Sequence, residues 1–361
     1  MNLTTLITDL AEIINLDTSD STILSNIKRW INTSYKDFQS RNNWYWLKRT
    51  GKFQTVEIYE DGTADVTQNS RAVTGSGTNW TSAMVGRYFR VEGKTDWYKI
   101  IAVGSTTSLT LDVPYLDSSA SAQSYKIWQK HYELYPDIKN ENLISVLTDG
   151  HPHQLVFFPY EDAGFVNAFA YFQGNPHRVF LHEWDKSIRT YTTGTVSGTV
   201  DTKTLTGSST VWLDNVMPGD RITVGNYNYY VLSVDSNTQL TLTTNLMATI
   251  SAETSYTRTR ENNLLVMIDF TPKDPAKNMT YTYYKKTYDM QNDNDLPEIP
   301  EMWHYIVVLG AKWLAYQSLD DPREALAKQI FEIEIAKVIR ETTASSHRPS
   351  VWLRYDTGEY S

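Results

Sequence analysis

Histidine is the residue most able to ligate a metal or move a proton near neutral pH. The densest histidine group is DGHPH at 149–153, with His177 and His182 further along. Pro152 keeps the rings of His151 and His153 off a common helix face, and no H-E-x-x-H spacing occurs. These histidines read as loop residues, and no metal site is expected. Two carboxylates could flank a glycosidic bond, but with 42 Asp and Glu no pair is singled out. Gly75-Ser76-Gly77 sits between apparent strands and opens no helix, so it does not cradle a phosphate. No G-x-S-x-G leads into a helix either. Neither a catalytic residue nor a cofactor is expected.

Aromatic residues offer a second kind of chemistry. Trp80 and Trp212 each close a Gly/Ser/Thr turn, TGSGTNW at 74–80 and TGSSTVW at 206–212. A flat indole in such a place could stack on a sugar, but the identical placement favours a core plug in each copy. Near the C-terminus, Trp352-Leu353-Arg354-Tyr355 gathers the residue types that dominate interface hot spots. This segment is expected to dock on a neighbouring subunit or partner.

The two tryptophan turns belong to a longer repeat. Val85-Gly86-Arg87 is matched by Pro218-Gly219-Asp220, Phe89-Arg90-Val91 by Ile222-Thr223-Val224, and YKIIAV at 98–103 by YYVLSV at 229–234. SLTLDVPY at 108–115 is matched by QLTLTTNL at 239–246, and Tyr125 by Tyr256. Each copy consists of short β-branched or aromatic runs separated by Gly, Ser, Asn or Asp, which predicts a small barrel or sandwich of five or six strands. Two copies are too few for a solenoid. The expected organisation is one host domain carrying two insertions: host residues 1–61, β module 62–127, host 128–192, β module 193–258, host 259–341, and an extended docking tail at 342–361.

The host begins with helices. Leu3, Leu6, Ile7, Leu10, Ile13 and Ile14 form one apolar stripe, and Ile23, Leu24, Ile27, Trp30, Ile31, Tyr35 and Phe38 form another. Residues 17–21 supply turn and N-cap chemistry between them. QLVFFP at 154–159 and LLVMIDFTP at 264–272 read as strands, and TYTYYKKTYDM at 280–290 is expected to pair with the latter. The loop NDNDLPEIP at 292–300 stops that strand before an all-round apolar helix at 301–319. Pro322 suits the first position of a last helix reaching about Glu341. The fold class is thus α+β, a helical host with a small sheet and two all-β modules.

Bulk composition narrows the function. A net charge of −9 argues against gripping nucleic acid, which needs clustered Lys and Arg. With no cysteine, neither disulfides nor thiolate metal sites contribute. No unbroken apolar run is long enough to span a bilayer, and the first residues lack the pattern of a signal peptide.

INTSYKDFQSRNNWYWL (31–47), VMIDFTPKDPAKNMTYTYYKK (266–286) and LPEIPEMWHYIVVLGAKWLAYQSLDD (296–321), in that order, resemble the head-to-tail adaptor (connector, head-completion) proteins of tailed bacteriophages. The two modules resemble Ig-like or small-barrel decorations of phage structural proteins. The resemblance implies a structural virion protein at the head-tail junction, forming a ring, usually twelvefold, beneath the portal protein. It also implies contact with a downstream tail or neck protein, DNA passing through the channel without specific binding, and no membrane. The competing reading is a carbohydrate-binding or wall-contacting virion protein, supported by the twin tryptophans.

Overall fold

The computed structural model describes residues 1–149, 154–158, 176, 178–185, 188–261, 263–268 and 277–346. Helix α1 (Leu3–Ile14) starts where the Asn2 side chain accepts the Thr5 N–H, and it ends at Asn15 in the left-handed conformation. Helix α2 (Ser21–Ser40) is capped by Asp20, whose carboxylate accepts from the Thr22 and Ile23 N–H groups. At the other end of the chain stand α3 (His304–Ser318) and α4 (Glu324–Ser346). The last helix begins two residues after Pro322, which lies in the preceding turn rather than at the first helical position. It also runs on past Glu341 to Ser346, so residues 342–346 are helical rather than extended.

These four helices share one core, with Leu6, Leu10, Ile27, Ile31, Phe38, Ile306, Val307, Phe331 and Ile335 inside it. Gly310 sets how closely they approach. A Cβ there would stand 2.2 Å from Ser34 Oγ on α2 and 2.7 Å from the Phe331 ring on α4. Any side chain would therefore push the helices apart. Ser34 uses the same contact to donate to the Val307 carbonyl at 2.8 Å.

After α2 comes strand β1 (Lys48–Gln54). The first β module contains β2 (Thr63–Val66), β3 (Ala72–Ser76), β4 (Tyr88–Val91), β5 (Tyr98–Ser105), β6 (Ser108–Leu111), β7 (Ala120–Gln123) and β8 (Tyr125–Trp128). Strands β9 (His131–Glu133), β10 (Ile138–Thr148), β11 (Val156–Phe158) and β12 (Arg178–Asp185) follow. The second β module contains β13 (Arg189–Tyr191), β14 (Thr195–Gly198), β15 (Thr204–Ser208), β16 (Arg221–Val224), β17 (Tyr227–Ser236), β18 (Gln239–Leu242), β19 (Ile250–Thr254) and β20 (Thr257–Arg260). Strands β21 (Asn263–Ile268) and β22 (Asn278–Lys285) lead back to the helices.

Alternation in the sequence predicts β21 beside β22, and the structure overturns that pairing. Strand β22 lies between β1 and β10, whereas β21 lies between β12 and β9. The two resulting sheets share an apolar core. Met279, Tyr281 and Tyr283 from one meet Leu264, Val266 and Ile268 from the other. A period of two fixes which side chains face inward, but not which strand lies alongside.

The β modules close on themselves. In the first the ladder runs β7-β2-β3-β6-β5-β4-β8, and its two outer strands are consecutive in the chain, separated by Ser124 alone. The ladder therefore returns to its own edge as a small barrel, hereafter barrel 1. In the second, β19-β14-β15-β18-β17-β16-β20 repeats the same order, and β13 adds to β20 outside it. This is barrel 2. Register shifts in the long strands β5 and β17 supply the bends that closure requires. Counting each consecutive outer pair as one bent strand gives six, at the upper end of the expected number.

Candidate interaction site on the barrel faces

The repeated tryptophan turn is a core device in both barrels. Trp80 is 1% exposed and Trp212 0%. Trp80 Nε1 donates to Tyr125 Oη at 2.9 Å, and that hydroxyl donates onward to the Asp61 carbonyl. Trp212, Tyr256 and Thr193 repeat the relay. A Cβ on Gly75 would stand 2.8 Å from the Trp80 ring, and one on Gly207 2.6 Å from Trp212, so glycine is needed for the indole to seat. Neither indole presents a face to a sugar, which removes the observation that supported the carbohydrate reading.

The barrels differ at one aligned position, Arg87 in barrel 1 and Asp220 in barrel 2. Their backbone settings match closely. Gly86 N–H donates to the Ile100 carbonyl and Ile100 N–H to Arg87, just as Gly219 donates to Val231 and Val231 to Asp220. Both glycines have positive φ, 87° and 91°.

In barrel 2 this face is closed. Asp220 is fully buried and takes Arg260 in a two-pronged pair, Nε to Oδ1 and Nη2 to Oδ2, both at 2.8 Å. It also accepts the Met217 N–H. Burial works against the Arg260 charge, but the bonds to Asp220 outweigh it and hold the pKa above its usual value. Arg258, 3.7 Å from Asp220, is lowered by burial. Glu133 on β9 extends the network by pairing with Arg189 and Arg260, tying barrel 2 to the host sandwich. Gly219 lies flat on the host chain, where a Cβ would come within 2.5 Å of Asp137 N.

In barrel 1 the same face is open. Nothing lies within 4 Å of a Cβ placed on Gly86. Beside it is a cleft of about 430 Å³ between barrel 1 and the sandwich, lined by Arg87, Lys99, Gln129, His131, Tyr132 and Glu133 among others. Arg87 Nε is buried with no hydrogen-bond partner, and no carboxylate among the described residues forms an ion pair with the guanidinium. Burial lowers its pKa, and nearby Tyr132 offsets this in part.

Other buried polar groups join the parts of the molecule. Lys139 on β10 donates to the Gln39 and Asn42 carbonyls at 2.8 and 2.9 Å, capping the C-terminus of α2. The loop at 292–300 does more than stop a strand. The Asp295 carboxylate accepts from Asn245 N–H of barrel 2 and from the Gln291 and Asn292 N–H groups, while its carbonyl accepts from Leu3 N–H of α1. Asp137 is buried, accepts from the Tyr283 hydroxyl at 3.2 Å, and is pushed up to about 6 by burial despite the opposing pull of Tyr283, Lys285 and Lys286.

His151, His153, His177 and the segment Trp352, Leu353, Arg354, Tyr355 lie outside the described residues, and only the backbone of His182, in β12, is described. Among the described residues no three His, Asp or Glu side chains stand together in position to hold a metal. No helix there is long and apolar enough to cross a membrane. Sequence reasoning missed Asp220, Arg260, Asp295 and Lys139. The copies themselves held the signal for the first two, since alignment sets Arg87 against Asp220 and Gln129 against Arg260.

A helical core, a two-sheet sandwich and two closed barrels, cross-linked by buried polar groups, define a multi-part scaffold. Residues 178–352, just under half of the chain, match the family model described as SU10 adaptor protein. The similarity is thus to a family of phage adaptors. Of the three stretches that carry the adaptor resemblance, those at 266–286 and 296–321 fall inside the match and 31–47 falls outside. A search of curated proteins found no match.

Proposed function

We propose that this chain is a head-to-tail adaptor that assembles as a ring, twelvefold, under the portal protein of a tailed phage, at the head-tail junction of the virion. The observation that carries the reading is the adaptor-family match over 178–352, which spans barrel 2, β21, β22 and the C-terminal helix pair. In this reading the helices line or brace the ring and the barrels face outward. Trp352, Leu353, Arg354 and Tyr355 dock on the portal or on the adjacent subunit. A downstream tail or neck protein binds the opposite side.

The net charge of −9 fits passage of DNA without capture, because an acidic channel wall repels phosphates. Mass photometry of the 41.5 kDa chain, alone and with the portal protein encoded in the same genome, tests the proposal. The expected result is a portal ring that gains about twelve copies. A chain that leaves the portal mass unchanged refutes it. In the same assay a truncation after Ser350 should lose docking while keeping its thermal melt, and undiminished assembly would dismiss the tail.

A further inference from the structure

Because the chain holds two copies of one barrel, each serves as a control for the other. At one matched position barrel 2 places Asp220, neutralised by Arg260, beneath the host turn at Asp137. Barrel 1 places Arg87 there, and Gln129 where Arg260 would stand. Nothing lies within 4 Å of a Cβ on Gly86, and a cleft separates that face from the host strands instead. We infer that this cleft receives a carboxylate carried on an extended segment of a second copy of this chain. The inference rests on the ring-forming reading above.

Three observations define the occupant. First, Gly86 and Gly219 share φ and backbone bonding, and Gly219 already packs against a peptide at van der Waals distance, so the Gly86 face can accept a peptide in the same way. Second, Arg87 is a half-buried cation with a desolvated Nε and no carboxylate partner among the described residues. A planar guanidinium in that state is matched best by a carboxylate taken in two-pronged fashion. Third, Lys99 shares the wall with Arg87, and its acid, Glu133, is already engaged by Arg189 and Arg260. The cleft therefore has positive charge to spare. The chain as a whole is acidic, with 42 acids against 33 bases, so a neighbouring copy is well supplied with the complement. Barrel 2, with its acid already neutralised, has no equivalent site.

The test combines assembly with covalent capture. The protein, with portal where assembly needs it, is prepared as wild type, Arg87→Glu and Arg87→Lys, and oligomerisation is followed by mass photometry across protein concentration. Arg87→Glu should raise the concentration needed for assembly at least tenfold, roughly the effect of opposing like charges at a contact. Arg87→Lys keeps the charge but loses the two-pronged geometry, so its effect should fall between those of wild type and Arg87→Glu. The Arg87→Lys chain is then made in light and heavy-nitrogen forms, co-assembled and treated with a zero-length carbodiimide, which joins an amine to a touching carboxylate. The expected product is a peptide pair linking position 87 to an Asp or Glu of the opposite isotope label.

Cross-links within one label only would mean that the chain covers its own cleft, and would overturn the inference. Unchanged assembly of Arg87→Glu would overturn it as well. So would a short duplex DNA probe that binds wild type and is released by Arg87→Glu, because the anion would then be phosphate. A wild-type chain that never assembles, even with portal, brings down the ring reading and this inference together. Intact assembly with neither an Arg87→Glu effect nor a mixed-label product brings down this inference alone.

Discussion

Replacing Asp220 by Asn tests the junction between barrel 2 and the sandwich most directly. The substitution keeps volume but removes the charge that holds Arg260 at two points and Arg258 at 3.7 Å. It also sets an NH2 group against an arginine N–H or the Met217 N–H, both donors. Removing one partner of a buried ion pair costs about 3–5 kcal/mol, because the remaining charge stays buried without compensation. Glu133 still reaches Arg260 at 3.4 Å and relieves part of this, which places the expectation near the lower end. At about 2.1 cal/mol/K per residue, that loss lowers the melting temperature by roughly 4 °C if all 361 residues unfold together. A separate early transition is expected if barrel 2 opens first. Urea denaturation of wild type, Asp220→Asn, Arg260→Met and the double variant forms a thermodynamic cycle. The double variant should be more stable than Asp220→Asn alone, since it removes the stranded charge. An Asp220→Asn cost below about 1 kcal/mol, or a cycle with no coupling, would show that water solvates the cluster and that it does not fasten the barrel.

Other outcomes follow from the same structure. Trp80→Ala and Trp212→Ala should each cost about 3–5 kcal/mol and melt only the barrel that carries the change, which near-UV circular dichroism can follow; a sugar-binding loss with unchanged melting would reverse the core assignment. Burial pushes the folded Asp137 carboxyl up to about 6 from its ordinary 3.8, so its contribution to stability is present below about pH 4 and lost as the pH rises through 6. Asp137→Asn should therefore match wild type near pH 4 and gain up to about 3 kcal/mol over it at pH 7.5. A pH-independent difference in urea midpoint would contradict that linkage. Lys139→Met strips the cap from α2 and should cost about 1–2 kcal/mol, with faster amide exchange confined to residues near 36–42; unchanged protection there would mean that the carbonyls find other donors.

The parts of the fold that depend on neighbours in the chain were legible in the sequence. The amphipathic stripes of α1 and α2, the polar caps before them and the tryptophan turns all express contacts within a few residues or within one repeat. Pairing across long separations was not. Strand β22 reads like a partner for β21 because one alternates, the other is an apolar run, and they are near in sequence. Its actual neighbours are β1 and β10, and β1 reads KRTGKFQ, with too little apolar character to announce a strand. Closure of the barrels was hidden for a related reason, since it depends on the short break at Ser124 between two strands that pair at opposite edges. The junction residues were hidden by their type. Asp220 follows Pro-Gly and looks like turn chemistry, while Asp295 sits in an acidic loop that looks like solvent-facing punctuation. Only burial and a partner distant in sequence show either to be a fastener.

Barrel 1 begins and ends at almost the same point in space. Tyr59 and Ile127 exchange both backbone hydrogen bonds, at 2.9 and 2.8 Å, on either side of everything between them. Barrel 2 has a counterpart in the ladder from Arg189–Arg260 to Tyr191–Arg258. To the rest of the chain, a whole barrel is thus no wider than one rung of a ladder. A deletion between such rungs leaves two ends already side by side, and an added barrel demands no new span. Excising barrel 1 in this manner would leave the span of the scaffold unchanged, whereas excising barrel 2 would also remove Asp220 and strand the buried Arg260.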